Sequence, residues 1–247
     1  MSSSAPTGPP PDVPADLQAP FLRPDRATEV VLVRHGSAEH RVAPSPGGDG
    51  AIEGQADSPL TAAGVVQARA VARRLAPVAV DRLFVTTLQR THQTAAPLAE
   101  ALELSPEVVA DLREVSLGVL EGGEFERRRR AGDTVLAEAF AAQRWDVIPG
   151  AESMDAFAQR VRRGLERVAE VTGPDATAVA VVHGGVIAEL CHQVTGSERF
   201  AFIHVENASF TTLIRSSGGV WRLRSFNDTT HLVGQPDPRT AAPADLG

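Results

Sequence analysis

Short continuous apolar runs alternate along this chain with longer stretches whose apolar residues recur at helical spacing. Val30 to Arg34, Leu83 to Thr86 and Ala178 to Val182 read as strands buried on both faces, with a further short strand near Val108. The spacing predicts helices over Thr61 to Leu75, where Ala63, Val66, Ala70 and Leu75 leave an apolar face, and over Leu88 to Ala101. Another covers Ser153 to Val171: Ser153 suits an N-cap, and Phe157, Val161, Leu165 and Val168 fall on one side. One more helix is expected from Val186, and a hairpin, Ser209 to Ile214 and Val220 to Phe226 around Ser216-Ser217-Gly218-Gly219, completes the sheet. Such alternation predicts an α/β three-layer sandwich with a mostly parallel central sheet. Between residues 119 and 150 the rhythm breaks into an acidic-then-basic helix (GGEFERRRRAGD), an Ala-rich helix (Thr134 to Gln143) and the loop Trp145 to Gly150, read as a helical cap insertion over the sheet edge.

The flanks differ in kind. Residues 1–25 are rich in Pro, Ser and Ala and are expected to form a disordered leader; 234–247 read as a flexible tail, leaving 26–233 as the folded domain.

Two of the strands end in the same way. TEVVLVRHG (Thr28 to Gly36) and TAVAVVHGG (Thr177 to Gly185) each deliver a histidine, then a glycine, to the carboxyl end of a buried strand. That edge is where open α/β sheets bind ligands. Arg34 sets a permanent cation beside His35, which points to a phosphorylated substrate. A histidine so placed also suits a core position satisfied by a backbone carbonyl. Between His35 and His183 the residues alone barely choose a nucleophile; the adjacent Arg34 favours His35.

Composition narrows the classes. With 247 residues, 43% of them hydrophobic, the chain can bury a sizeable core. A formal charge of -7 argues against a general nucleic-acid or anionic-membrane binder, which needs a broad positive field. The single cysteine, Cys191, excludes an intramolecular disulfide framework and a Cys-cluster zinc site, and fits a reducing cytoplasm. No stretch reads as a bilayer span or secretory signal.

Six blocks in order, VLVRHG, DSPLTAAGVVQA, TTLQRTHQTAAPLA, LREVSLGVLEG, AESMDAFAQRV and VVHGG, together with NASFTTL and FNDTTHL, resemble the histidine phosphatase superfamily, in its phosphoglycerate mutase-like branch, from about Glu29 to His231. The resemblance implies a covalent phosphohistidine mechanism without metal or cofactor. His35 would be the nucleophile. Arg34 and Arg90 would hold the phosphoryl oxygens, with Gly184 in the same pocket, and His183 would donate a hydrogen bond to the transferring group. Glu114 would be the general acid, matching the family's position better than Glu121, because the residue after the second histidine, an acid in some relatives, is Gly184 here.

Departures from the pattern bear on the pocket. Where many relatives place a phosphate-binding Asn, this chain has Arg41, which either adds a cation to the pocket or points outward on a loop lengthened by SPGGDG; His40 suits a substrate rim or solvent. Of the four arginines Arg127 to Arg130, at most two can face one ligand. His92, His192 and His204 read as structural or exposed, and His231 as part of a hydrogen-bonding cluster with Asn227 and Asp228. The leading expectation is a phosphomonoester hydrolase acting on a small phosphorylated metabolite. A mutase is the alternative; its known Glu-Arg-His-Tyr-Gly stretch is replaced by REVSLG, and the chain has no tyrosine. A catalytically inactive phospho-ligand binding module is disfavoured, since Arg34, His35, Arg90, Glu114 and His183 are all present.

Overall fold

A computed structural model describes residues 18, 20–39 and 55–234. Most of the expected leader, the tail, His40, Arg41 and the SPGGDG loop lie outside these.

Strand β1 (Thr28–Arg34) alternates strictly: Val30 and Leu32 enter one apolar cluster and Val31 and Val33 the other. A strand buried on both faces must be covered on both, and it is. Helices α1 (Ala62–Leu75) and α2 (Gln89–Leu102) cover one face through Val71, Leu75, Ala95 and Leu98. On the other, α5 (Met154–Thr172) and α6 (Gly184–Thr195) contribute Phe157, Val161, Leu165, Ile187 and Leu190. With β2 (Arg82–Val85), β3 (Glu107–Val108), β4 (Thr177–Val182), β5 (Phe210–Arg215) and β6 (Trp221–Asp228), the sheet order is β3-β2-β4-β1-β5-β6. The pairs β3–β2, β2–β4 and β4–β1 are parallel; the hairpin joins β1 antiparallel.

The expected cap is in place: Ser153 accepts from the Ala156 N–H before α5; Thr61, expected as the first helical residue, instead caps α1 by accepting from the Gly64 N–H. Helix α6 starts two residues earlier than the apolar pattern suggests, because its first turn is Gly184-Gly185 and carries no side chain to register. Residues 119–150 hold α3 (Glu124–Arg130) and α4 (Thr134–Ala142) and no strand. Contacts begin before residue 25: the Arg23 guanidinium donates to Thr177 Oγ1 (3.0 Å), and Arg224 lies over the Phe21 ring. Among the described residues no helix is long and apolar enough to cross a membrane.

After β1 the chain is pressed against the start of α1. A Cβ at Gly36 would sit 2.7 Å from the Gly64 carbonyl oxygen, and one at Gly64 would sit 2.0 Å from that of Ser37, so neither position admits a side chain. Two backbone bonds, Glu39 N–H to Pro59 and Thr61 N–H to Ser37, both 2.9 Å, hold the contact.

Arg160 lies within the apolar face of α5, almost wholly buried. Its guanidinium grips Glu152 with two 2.7 Å bonds and donates to the carbonyls of Asp111, Arg113 and Glu114. Removing one member of a buried pair strands the other, at about 3–5 kcal/mol. Arg160→Met is therefore expected to lower unfolding free energy by about that amount in urea titrations, and to loosen the 111–114 segment in hydrogen exchange.

Candidate active site

The parallel register of β1 on β4 pairs Arg34 with Val182, so the next residues, His35 and His183, leave the sheet side by side. The His35 N–H donates to the Val182 carbonyl (2.9 Å), and the two imidazoles meet edge-on with centroids 5.2 Å apart. On the far side of β4, β2 ends at Val85 and places Thr86 Oγ1 2.9 Å from His183 Nε2. Strand order β2-β4-β1 thus delivers Thr86, His183 and His35 to one edge. Arg90, in the first turn of α2, reaches the same point: its Nε donates to His35 Nε2 (3.2 Å) and its Nη1 to the Ala56 carbonyl (3.1 Å).

Hydrogen bonding assigns the His35 tautomer. Nδ1 lies 2.8 Å from the Gly36 carbonyl, which can only accept, so Nδ1 carries the proton and Nε2 keeps its lone pair. The carbonyl that satisfies Nδ1 is thus what leaves Nε2 with a lone pair directed toward Arg90 and the cavity. Burial foremost, then Arg90 and Arg34, holds its pKa well below 6.5, so the ring is neutral at pH 7. Burial does the same for His183, again with Arg90 next.

Around His183 the hydrogen bonds run through two threonines. The Thr91 hydroxyl gives its proton to the Leu88 carbonyl (2.8 Å), and Thr86 Oγ1 accepts from the Leu88 N–H (3.3 Å) and lies 3.3 Å from Thr91 Oγ1. A hydroxyl has two lone pairs, so Thr86 Oγ1 can donate to His183 Nε2 or accept from it. His183 Nδ1 is buried and has no protein partner. A ring nitrogen in that condition is costly unless a ligand atom meets it. Arg34 is likewise incomplete: it donates through Nη1 to the Val205 carbonyl, whereas its buried Nε has no partner.

Gly184 and Gly185 open α6 with His183 as N-cap. A Cβ at Gly184 would press on Arg34 Nε at 3.3 Å, and one at Gly185 would fall 2.5 Å from Glu114 Oε1. The Gly185 N–H donates to Glu114 Oε2 (3.1 Å), so the carboxyl sits at the positive end of a helix. Arg34, His35, Arg90, Glu114 and Gly184 all line one cavity of about 650 Å³. His183 lies directly behind it. Arg41 falls outside the described residues.

Other expectations resolve individually. Of the α3 arginines only Arg129 lines the cavity, and its guanidinium is bound to Glu126. Glu121 also lines it, but its carboxylate braces the wall by accepting from the Ala56 and Leu117 N–H groups; burial raises its pKa. His92 and His192 bond to backbone carbonyls, and His204 lies exposed at the cavity rim. His231 departs from the expected polar cluster: its ring stacks flat on Phe210 at 4.1 Å, while Asp228 binds Thr230 instead. Burial pushes the Cys191 thiol up to about 12, leaving it inert.

Several supporting residues carry little sequence signal. Gln55 donates to the Glu114 carbonyl (2.9 Å) and Asn207 to that of His35 (3.0 Å), both from irregular segments. Arg160, an arginine in an apolar helical stripe, was the findable one.

The sequence profile of the histidine phosphatase superfamily (branch 1) matches residues 30–229. A metal-independent phosphoserine phosphatase of Arabidopsis thaliana is 32% identical over 212 residues, 83% of each chain. A protein of Serratia proteamaculans named a probable phosphoglycerate mutase is 33% identical over 213 residues, covering 83% of this chain and 94% of its own. Among solved structures, a mycobacterial glucosyl-3-phosphoglycerate phosphatase superposes with a TM-score of 0.66 at 29% identity, over 83% of this chain and all of its own.

Two outcomes are expected. Thr86→Val removes the hydroxyl that orients His183 but keeps its volume. Turnover of p-nitrophenyl phosphate should fall about tenfold to a hundredfold, less than the 10²–10³ typical of deleting a direct donor, with KM little changed. The second concerns pH. Unfolded histidine titrates near 6.5, above both native values, so below that pH the unfolded chain takes up protons that the native one refuses. Stability should fall by about 1.4 kcal/mol per pH unit per histidine until the native pKa is reached. In urea titrations between about pH 7 and about pH 5 the loss should be smaller in His35→Asn than in the parent.

Proposed function

Because the chain belongs to the histidine phosphatase superfamily, we propose that it is a phosphomonoester hydrolase working through a phosphohistidine at His35 on a small phosphorylated metabolite. The observation that carries this is the lone pair of His35 Nε2, kept neutral by burial and bounded by Arg90, beside a carboxyl group in the same cavity.

The ester binds with its phosphoryl oxygens toward Arg34, Arg90, His183 Nδ1 and the first turn of α6, where cations and backbone dipoles are already fixed. His35 Nε2 forms a bond to phosphorus as the ester P–O bond breaks, and Glu114 gives a proton to the departing alkoxide. Phosphorylation leaves the imidazole with positive charge, and the Gly36 carbonyl on Nδ1–H stabilises it. Glu114, now a carboxylate, takes a proton from water as that oxygen attacks phosphorus. The N–P bond breaks and orthophosphate leaves. No step calls for a metal or a cofactor.

Hydrolysis is favoured over mutase transfer by the state of α3. A phosphoglycerate mutase must hold its intermediate by the carboxylate until the phosphoryl group returns to a second hydroxyl, yet Arg127 and Arg128 are paired with Glu124, and Arg129 and Arg130 with Glu126. A net charge of -7 supports small-molecule rather than nucleic-acid chemistry, and the buried, unpaired Cys191 goes with a cytoplasmic location.

Rapid-quench labelling with a radioactive phosphoester tests the scheme. Label is expected on His35 and absent from His35→Ala, whereas His183→Ala should label but turn over slowly; label on His183 would overturn it. Glu114→Gln should slow an alkyl ester by about 10²–10⁴-fold and p-nitrophenyl phosphate far less, provided transfer to His35 limits the aryl rate. Isomer formed from 3-phosphoglycerate faster than orthophosphate would assign a mutase instead.

A further inference from the structure

Beyond the phosphate corner the cavity changes character. Its outer wall is built by the 117–150 insertion and the segment before β5, and it is aromatic: Phe125, Phe140 and Trp145 line it, with Leu117 and Ile203 beside them. The rings form one packed unit. Trp145 lies edge-on to Phe125 at 6.0 Å and to Phe140 at 5.7 Å, and is backed by Phe200 at 4.7 Å. Trp145 is buried, yet Phe140 keeps 39% of its surface exposed although it faces a cavity. An exposed phenylalanine on a concave, otherwise well-packed wall marks a place where an apolar group binds.

Charge on this wall is unfavourable to a second anion. Glu121 and Glu126 line it against Arg129, and Arg129 is held by both oxygens of Glu126, whose pKa is drawn down to about 2 chiefly by that contact. Among the described residues of this wall, a carboxylate two or three bonds from the phosphate would meet rings, these acids and an arginine already paired, losing hydration for little in return.

Resting on the hydrolase reading, we propose that the alcohol half of the substrate is a bulky, mainly apolar group without a carboxylate, seated against Phe140, Phe125 and Trp145. Phosphoserine and phosphoglycerate are then poor substrates. Selectivity comes from ring contact on one side and carboxylate repulsion on the other.

The experiment compares esters of equal leaving-group chemistry, so that alkoxide basicity does not decide the result: 3-phenylpropyl phosphate, glycerol 3-phosphate, phosphoserine and 3-phosphoglycerate. Orthophosphate release should give kcat/KM for the phenylpropyl ester at least about tenfold above glycerol 3-phosphate, since even a single methylene in an apolar pocket is worth about 10–200-fold. The two carboxylates should fall below glycerol 3-phosphate. In Phe140→Ala, with the unfolding midpoint measured alongside because the ring also packs on Trp145 and Phe200, the phenylpropyl-to-glycerol ratio should drop about tenfold. Equilibrium binding of the four esters to His35→Ala reads the same order without turnover, so a failure of the hydrolase reading leaves this inference separately decided. Preference for phosphoserine or 3-phosphoglycerate in both assays, or an unchanged ratio in Phe140→Ala, would overturn it.

Discussion

The site depends on one pairing: β1 lies parallel to β4 with Arg34 opposite Val182. The strands are continuously apolar from Val30 to Val33 and from Ala178 to Val182, so their register is fixed by packing on both faces of the sheet, where a slip of one residue would exchange the two clusters. The histidines therefore need no flexible approach to one another. They are placed at 5.2 Å by core residues that never touch a ligand.

What that pairing assembles is electrostatically incomplete. Arg34 and Arg90 are largely withdrawn from water, which lowers both pKa values, with Glu114 the leading opposing influence. Two buried nitrogens, Arg34 Nε and His183 Nδ1, have no protein partner. Such an arrangement is expensive to fold and is balanced elsewhere, in the two-sided apolar core and in the Arg160–Glu152 brace beneath the Glu114 segment. The burial that raises the cost is also the main reason His35 stays unprotonated, and Arg90 and Arg34 add to it.

Much of this was legible in the sequence, and the reasons are particular. The continuous apolar runs of β1 and β4, buried on both faces, survive as written text, and so does the Ser153 cap. Helix α6 was placed late because Gly184 and Gly185 give no apolar signal, their value being the space they leave to Arg34 and Glu114. The roles of Thr86, Gln55 and Asn207 depend on strand order and on backbone carbonyls, neither of which is spelled by neighbouring residues. Likewise, whether an arginine run is free or paired is a matter of rotamers: the Glu124 and Glu126 that tie down Arg127 to Arg130 stand in plain view in the chain, but only geometry says they are engaged.

The contact between Gly36 and Gly64 has a consequence for His35 itself. Just after β1 the backbone touches the start of α1 and is cross-linked to it by hydrogen bonds, Glu39 N–H to Pro59 and Thr61 N–H to Ser37. His35 is thus clamped from both sides along its own segment, by the β1–β4 ladder before it and by this contact after it. A side chain at either glycine would push two backbones apart, and the displacement would start one residue from the imidazole.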